Sequence, residues 1–118
     1  MALKGGYSQT PLGAGGPAAS AMVNQNVTPT NGQTIVMTAD SNDRTLYMTP
    51  AGTLATLTVT MPADATSRIG QIARIASTAA ITSLTLNGGT VLNTVSALNA
   101  GDCVTFQKEA ANTWVRCI

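Results

Sequence analysis

From Gln33 onward, apolar and polar positions alternate with a period of two, the pattern of strands that bury one face. Thr34-Ile35-Val36-Met37-Thr38 is the first such run, and it ends at Ala39-Asp40-Ser41-Asn42-Asp43, a cluster of turn formers. Residues 44–49 follow and close at Pro50-Ala51-Gly52. Leu57, Val59 and Met61 then alternate with Thr56, Thr58 and Thr60, which predicts a half-buried strand with its threonines outward. Residues 69–76 and 81–86 give two more strands. Asn87-Gly88-Gly89 predicts a tight hairpin, with residues 90–95 returning along it. Residues 103–107 and 113–118 form a last pair around a turn at 108–112. About eight short strands at regular spacing, with no sustained helical period, predict an all-β fold. The expected architecture is an antiparallel β-sandwich or jelly-roll over residues 33–118.

The last pair can be read in more detail. A loop symmetric about Ala110 sets Cys103 opposite Cys117 and Phe106 opposite Trp114. Val104, Phe106 and Trp114 then share the core face, with Arg116 on the same face near the sheet end. Together with Leu57, Val59 and Met61, Phe106 and Trp114 are the expected core. Cys103 and Cys117 fall on the other face. They form either a cross-strand disulfide or two reduced, small, apolar side chains, and the reduced pair is the preferred reading for a chain with no export signal.

Residues 1–32 read differently. They carry a single charge (Lys4), three of the five prolines and six of the eleven glycines, and no apolar period lasts more than a few residues. Met22-Val23 and Val27 are the only places where a short strand could begin. Ordering a backbone costs about 1–2 kcal/mol per residue, which this composition cannot recover from its own side chains. The chain therefore divides into an extended low-complexity arm, 1–32, and a β domain, 33–118.

Composition narrows the chemistry. Only 9% of residues are charged, against about 25% in ordinary globular chains, while Thr and Ala supply 19 and 18 residues. A formal charge of +1 gives no footprint for nucleic acid or an anionic membrane. Histidine, the commonest general base and metal ligand, is absent. No apolar run follows Met1-Ala2-Leu3-Lys4 as in a signal peptide, so the chain is expected to be made in a cytoplasm and to stay there or leave by another route. Asp40-Ser41-Asn42-Asp43 resembles part of a calcium loop but lacks its Gly and distant Glu, so a turn is the better reading. Asp64, Asp102 and Glu109 stand apart, and Gly13-Ala14-Gly15-Gly16 has neither the preceding strand nor the following Lys of a phosphate loop. Asn26-Val27-Thr28 is a glycosylation sequon that should stay unmodified without export. No catalytic residue, cofactor or metal site is expected, and the protein is not expected to be an enzyme.

The stretch Val59-Thr60-Met61-Pro62-Ala63-Asp64-Ala65, then Gly70-Gln71-Ile72-Ala73-Arg74-Ile75, is similar to a pattern in tailed-bacteriophage virion proteins. It continues through Leu84-Thr85-Leu86-Asn87-Gly88-Gly89 to a last hairpin ending in Asn112-Thr113-Trp114-Val115. The resemblance covers about residues 33–118. It implies a β domain of the capsid decoration (cement), head-fibre or tail-fibre type, usually a homotrimer. A chain this short looks more like a decoration protein at the virion surface, bound to the major capsid protein. The arm would then clamp neighbouring capsid subunits through Leu3, Tyr7, Leu12, Met22 and Val23, its sizeable apolar side chains. A fibre component, or an adhesin domain contacting host glycans, is the alternative.

Overall fold

The computed structural model describes residues 22–117. Among them are nine strands: β1 (Val23–Val27), β2 (Thr34–Val36), β3 (Arg44–Met48), β4 (Leu54–Thr60), β5 (Ile72–Ser77), β6 (Ile81–Asn87), β7 (Thr90–Leu92), β8 (Cys103–Ala110) and β9 (Thr113–Arg116). A single 3-10 turn, Asp64–Thr66, interrupts them. The all-β expectation is met. The arrangement is not the expected antiparallel sandwich or jelly-roll.

From β1 to β7, successive strands alternate between two sheets. β1, β3 and β5 lie side by side and parallel in one, and β2, β4 and β6 do the same in the other. The chain thus winds as a solenoid of three coils, each contributing one strand to each sheet. The larger sheet continues past β5 as β8, β9 and β7, with β8 antiparallel to β5, β9 antiparallel to β8, and β7 parallel to β9. A period of two reports which face is buried and is the same for either strand direction. Direction depends on the connections, and from β1 to β7 each carries the chain across to the other sheet rather than back along its neighbour.

The Asn87-Gly88-Gly89 step shows the difference. Gly88 and Gly89 have φ of +92° and +126°, a region open to glycine. They turn the chain from β6 into the other sheet, so β7 pairs with β9 and does not return along β6.

Inward side chains from the two sheets meet in one core. Leu46, Met48, Ile75, Phe106 and Trp114 come from the larger sheet, and Ile35, Leu57, Val59, Ile81 and Leu84 from the smaller, all buried. Met61, just past β4, is buried with them. Burial of each such side chain contributes about 1.5–3 kcal/mol relative to exposure. Because the smaller sheet stops at β6, the segment beyond β7 extends its layer: Leu98 and Ile81 exchange both backbone bonds (2.9 and 3.0 Å), and Leu84 N donates to Ser96 O at 2.8 Å. Leu98 is buried by this placement.

Two placements differ from the sequence reading. Val23–Val27, assigned with the arm, forms β1 and pairs with β3 from Val23↔Arg44 to Val27↔Met48. The composition change near residue 32 therefore falls inside the first coil. In the last hairpin, Phe106 lies opposite Arg116 and Lys108 opposite Trp114, two residues from the register expected of a loop symmetric about Ala110. The turn is shorter than expected: Asn112 takes φ of +54° in a tight turn, and a bulge between Lys108 and Ala110 absorbs a residue. An even slip leaves every side chain on its expected face. It does separate the cysteines, because Cys117 N now bonds Thr105 O at 2.8 Å. Cys103 and Cys117 are free and exposed, and the disulfide alternative is not formed.

Candidate functional site

Most charged side chains of the described residues gather at one corner of the solenoid, where coils pass from the smaller sheet to the larger. Residues 37–43 make this corner in the first coil and 61–71 in the second. Gln71, wholly buried, joins the two. Its Oε1 accepts from Arg68 N (3.0 Å), and its Nε2 donates to Asp40 O (3.0 Å) and Asn42 O (2.8 Å). Asp43 Oδ1 accepts from Arg68 Nη2 (2.8 Å) and Ile72 N (2.9 Å), while Arg68 Nε donates to Ser41 O (3.0 Å). Asp40 accepts from Asn42 N through Oδ1 and from Arg44 Nη2 through Oδ2 at 2.7 Å. Arg44 is buried, and its Nε has no protein partner.

The next coil repeats the device with a lysine. Lys108 points inward from β8 and is almost fully buried, yet its Nζ reaches Asp64 Oδ1 and Ser67 Oγ, both at 2.7 Å. Asp64 Oδ1 also accepts from Asn112 N, tying the corner loop to the last hairpin. These contacts, first the Lys108 hydrogen bond and then the Asn112 amide, hold the Asp64 carboxyl below its ordinary value of 3.8. The folded state therefore binds the Asp64 proton less tightly than the unfolded chain does. Its contribution to stability is present above pH 3.8 and lost as pH falls through the lower, folded value. Asp64→Asn should flatten the acid limb of stability against pH, measured by urea unfolding between neutral pH and pH 2 to 3; an unchanged limb would remove Asp64 from this role.

Asp40, Asp43 and Asp64 each face a cation (Arg44, Arg68 and Lys108), and these ion pairs help to hold the corner together. The stretch that resembled a calcium loop is a turn whose two carboxylates are turned onto arginines. Among the described residues no group of three or more His, Cys, Asp or Glu side chains is placed to hold a metal ion.

The remaining sequence-derived positions are dispersed. Leu57, Val59, Met61, Phe106 and Trp114 are buried. Met22 is exposed ahead of β1, its Sδ 3.4 Å from Thr45 Oγ1, and Val23 is half-buried at the start of that strand. Leu3, Tyr7 and Leu12 lie outside the described residues. Cys103 and Cys117 point outward from the larger sheet. Both thiols should react with a thiol reagent in the native state without denaturant, and serine at either position should change stability by no more than about 0.5 kcal/mol. A thiol that titrates only after unfolding would contradict the exposed placement.

The outward faces complete the picture. On the smaller sheet Thr34, Thr58 and Thr85 align across the three strands, and Thr60 Oγ1 donates to Asn87 Oδ1 at 2.8 Å. The outward positions of β2, β4 and β6 carry no charge. On the larger sheet, Arg74 from β5 and Glu109 from β8 are exposed, and neither has a partner among the described residues. Sequence reasoning singled out neither as part of a surface, because the pairing that sets them on one face is invisible without the strand order. Fold and site together define a charge-poor parallel β-solenoid closed by an antiparallel hairpin. No family model, curated protein or solved structure matches the chain.

Proposed function

We propose that this protein is a virion structural component, a capsid decoration protein that binds the outer surface of a shell built from a major capsid protein. The observation that supports this reading is the division of its polar groups. Charged side chains are spent inside the corners that hold the coils together, and the broad outward faces are left almost without charge, as in the centre of protein-binding surfaces. Residues 1–21 supply further apolar anchors at Leu3, Tyr7 and Leu12 for the shell. A ligand that binds only the assembled shell stabilises that shell by mass action. Fibre components share the resemblance and differ in number.

The test is the copy number of this chain relative to the major shell protein, by quantitative mass spectrometry of purified particles of the virus that encodes it. A ratio matching a simple lattice stoichiometry supports decoration. A few copies per particle point to a fibre, and absence from particles overturns the virion reading. A chain lacking residues 1–21 keeps every described strand and should bind such particles much more weakly than the full chain.

A further inference from the structure

The outward face of the larger sheet carries two charges of opposite sign, set apart from one another and without a partner among the described residues. Arg74 lies opposite Thr105 across the β5–β8 ladder, and Glu109 lies four residues further along β8. With a rise of about 3.3 Å per residue and about 4.8 Å between strands, the two positions are roughly 14 Å apart, too far to pair within one molecule. Between them runs an outward rank of Ile72, Gln107, Val115 and Leu92, aligned across four strands. Leu92 is 49% exposed, and Ile69, in the turn before β5, is 60% exposed.

We infer that this face binds a second copy of the chain, sheet against sheet, around a two-fold axis. An isologous contact requires a self-complementary patch, in which residue i meets j and j meets i. An axis lying between the two sheets and running along the Ile72–Leu92 rank exchanges the Arg74 and Glu109 positions. Each arginine then faces the partner copy's glutamate, and the two ranks, apolar except for Gln107, meet at the centre. The offset between the two charges tilts the axis, so the paired sheets cross at roughly 40°, close to the angle of about 30° that twisted sheets adopt when packed face to face. Each sheet face covers roughly 500 Å², so about 1,000 Å² would be buried in all, the lower bound of a specific interface. The dimer is therefore expected to be weak and reversible. This inference does not rest on the shell reading, and it is tested on the isolated protein.

Sedimentation equilibrium of the full chain, over a range of protein concentration and at two ionic strengths, reads the assembly directly. A reversible monomer–dimer equilibrium that weakens with salt is expected. Arg74→Glu alone and Glu109→Arg alone each set like charges face to face, and each should weaken dimerisation by about tenfold or more. The double variant restores opposite charges and should recover most of the wild-type affinity. Circular dichroism and unfolding midpoints of all three variants should match the wild type, because neither side chain has a partner among the described residues. A wild-type chain that stays monomeric to millimolar concentration overturns the inference. So does a trimer, or a double variant that recovers nothing.

Discussion

Gln71→Ala should lower the thermal unfolding midpoint by about 15–25 °C, an effect on the scale of a large core truncation. The side chain is wholly buried and makes three hydrogen bonds, two of them to carbonyl oxygens of the neighbouring coil. Without it the Asp40 and Asn42 carbonyls and the Arg68 amide lose their partner, and each unsatisfied buried group costs about 1–3 kcal/mol. A total of about 3–4 kcal/mol follows, and a domain of this size shifts by about 4–8 °C per kcal/mol. Gln71→Asn should recover little, because the shorter side chain cannot span both loops. Thermal and urea melts of the two variants decide the matter. A loss below about 1 kcal/mol would mean that water replaces the amide and that the corner is not held by it.

Gly89→Ala should be the most damaging exchange at any described glycine, with a loss of about 2–4 kcal/mol. The φ of +126° already excludes most side chains, and a Cβ built there would lie 2.6 Å from Asn112 Oδ1 and 2.7 Å from Asn112 O. The amide of Asn112 could swing aside, but its carbonyl belongs to the turn of the last hairpin and accepts from Thr90 N at 2.9 Å. Gly52→Ala is the matched control. Its Cβ would meet nothing within 4 Å and its φ is not positive, so it should be neutral or slightly stabilising. Urea midpoints measured side by side give the comparison, and equal behaviour of the two variants would refute the close approach at the β6–β7 corner.

The faces of the strands were legible in the sequence, and their directions were not. Alternation correctly separates Leu57, Val59 and Met61 from the threonines between them, and Phe106 and Trp114 from Thr105 and Val115. Strand direction is carried by a weaker signal, a repeat. Val27-Thr28-Pro29 and Met48-Thr49-Pro50 stand 21 residues apart, and each is followed by a Gly within three residues. In the structure Val27 pairs with Met48, and Thr28 Oγ1 lies 3.1 Å from Thr49 Oγ1. The ends of the next strands repeat as well, Val36-Met37 against Thr60-Met61, and Met37 N donates to Thr60 O at 3.0 Å. Stacked coils put like residues in like places, and these two short echoes, 21 and 24 residues apart, are the trace of that stacking in the sequence.

The corner network was harder to see. Asp40, Asp43, Asp64, Arg68 and Lys108 appear as isolated charges along the chain, and only the stacking of the two loops turns them into pairs. Lys108 is the sharpest case: the sequence reading ends the strand at Gln107 and puts Lys108 in the turn, whereas β8 runs on to Ala110 and carries Lys108 inward, where Asp64 and Ser67 face it. The β1 strand was hidden for another reason. Asn24, Gln25 and Asn26 look like loop residues, but Gln25 works inside the first coil, where its amide donates to Val36 O at 2.9 Å and accepts from Thr38 N at 2.8 Å.

The order of the strands also bears on how the chain reaches its fold. Every parallel pairing joins distant residues: Val23 with Arg44, Arg44 with Ala73, Thr34 with Thr58. Each must lose the entropy of a loop of about twenty residues or more before any ladder bond forms. The β8–β9 hairpin closes across a tight turn and needs no such loop. Folding is therefore expected to start at the C-terminal hairpin, to recruit β5, and to add the coils back toward β1. Stopped-flow kinetics would register this as slower folding for Val104→Ala and faster unfolding for Val27→Ala; the opposite assignment would place the nucleus in the first coil. On the ribosome, the first coils would emerge with nothing to stack on, and the body would close only when its last strands leave the exit tunnel.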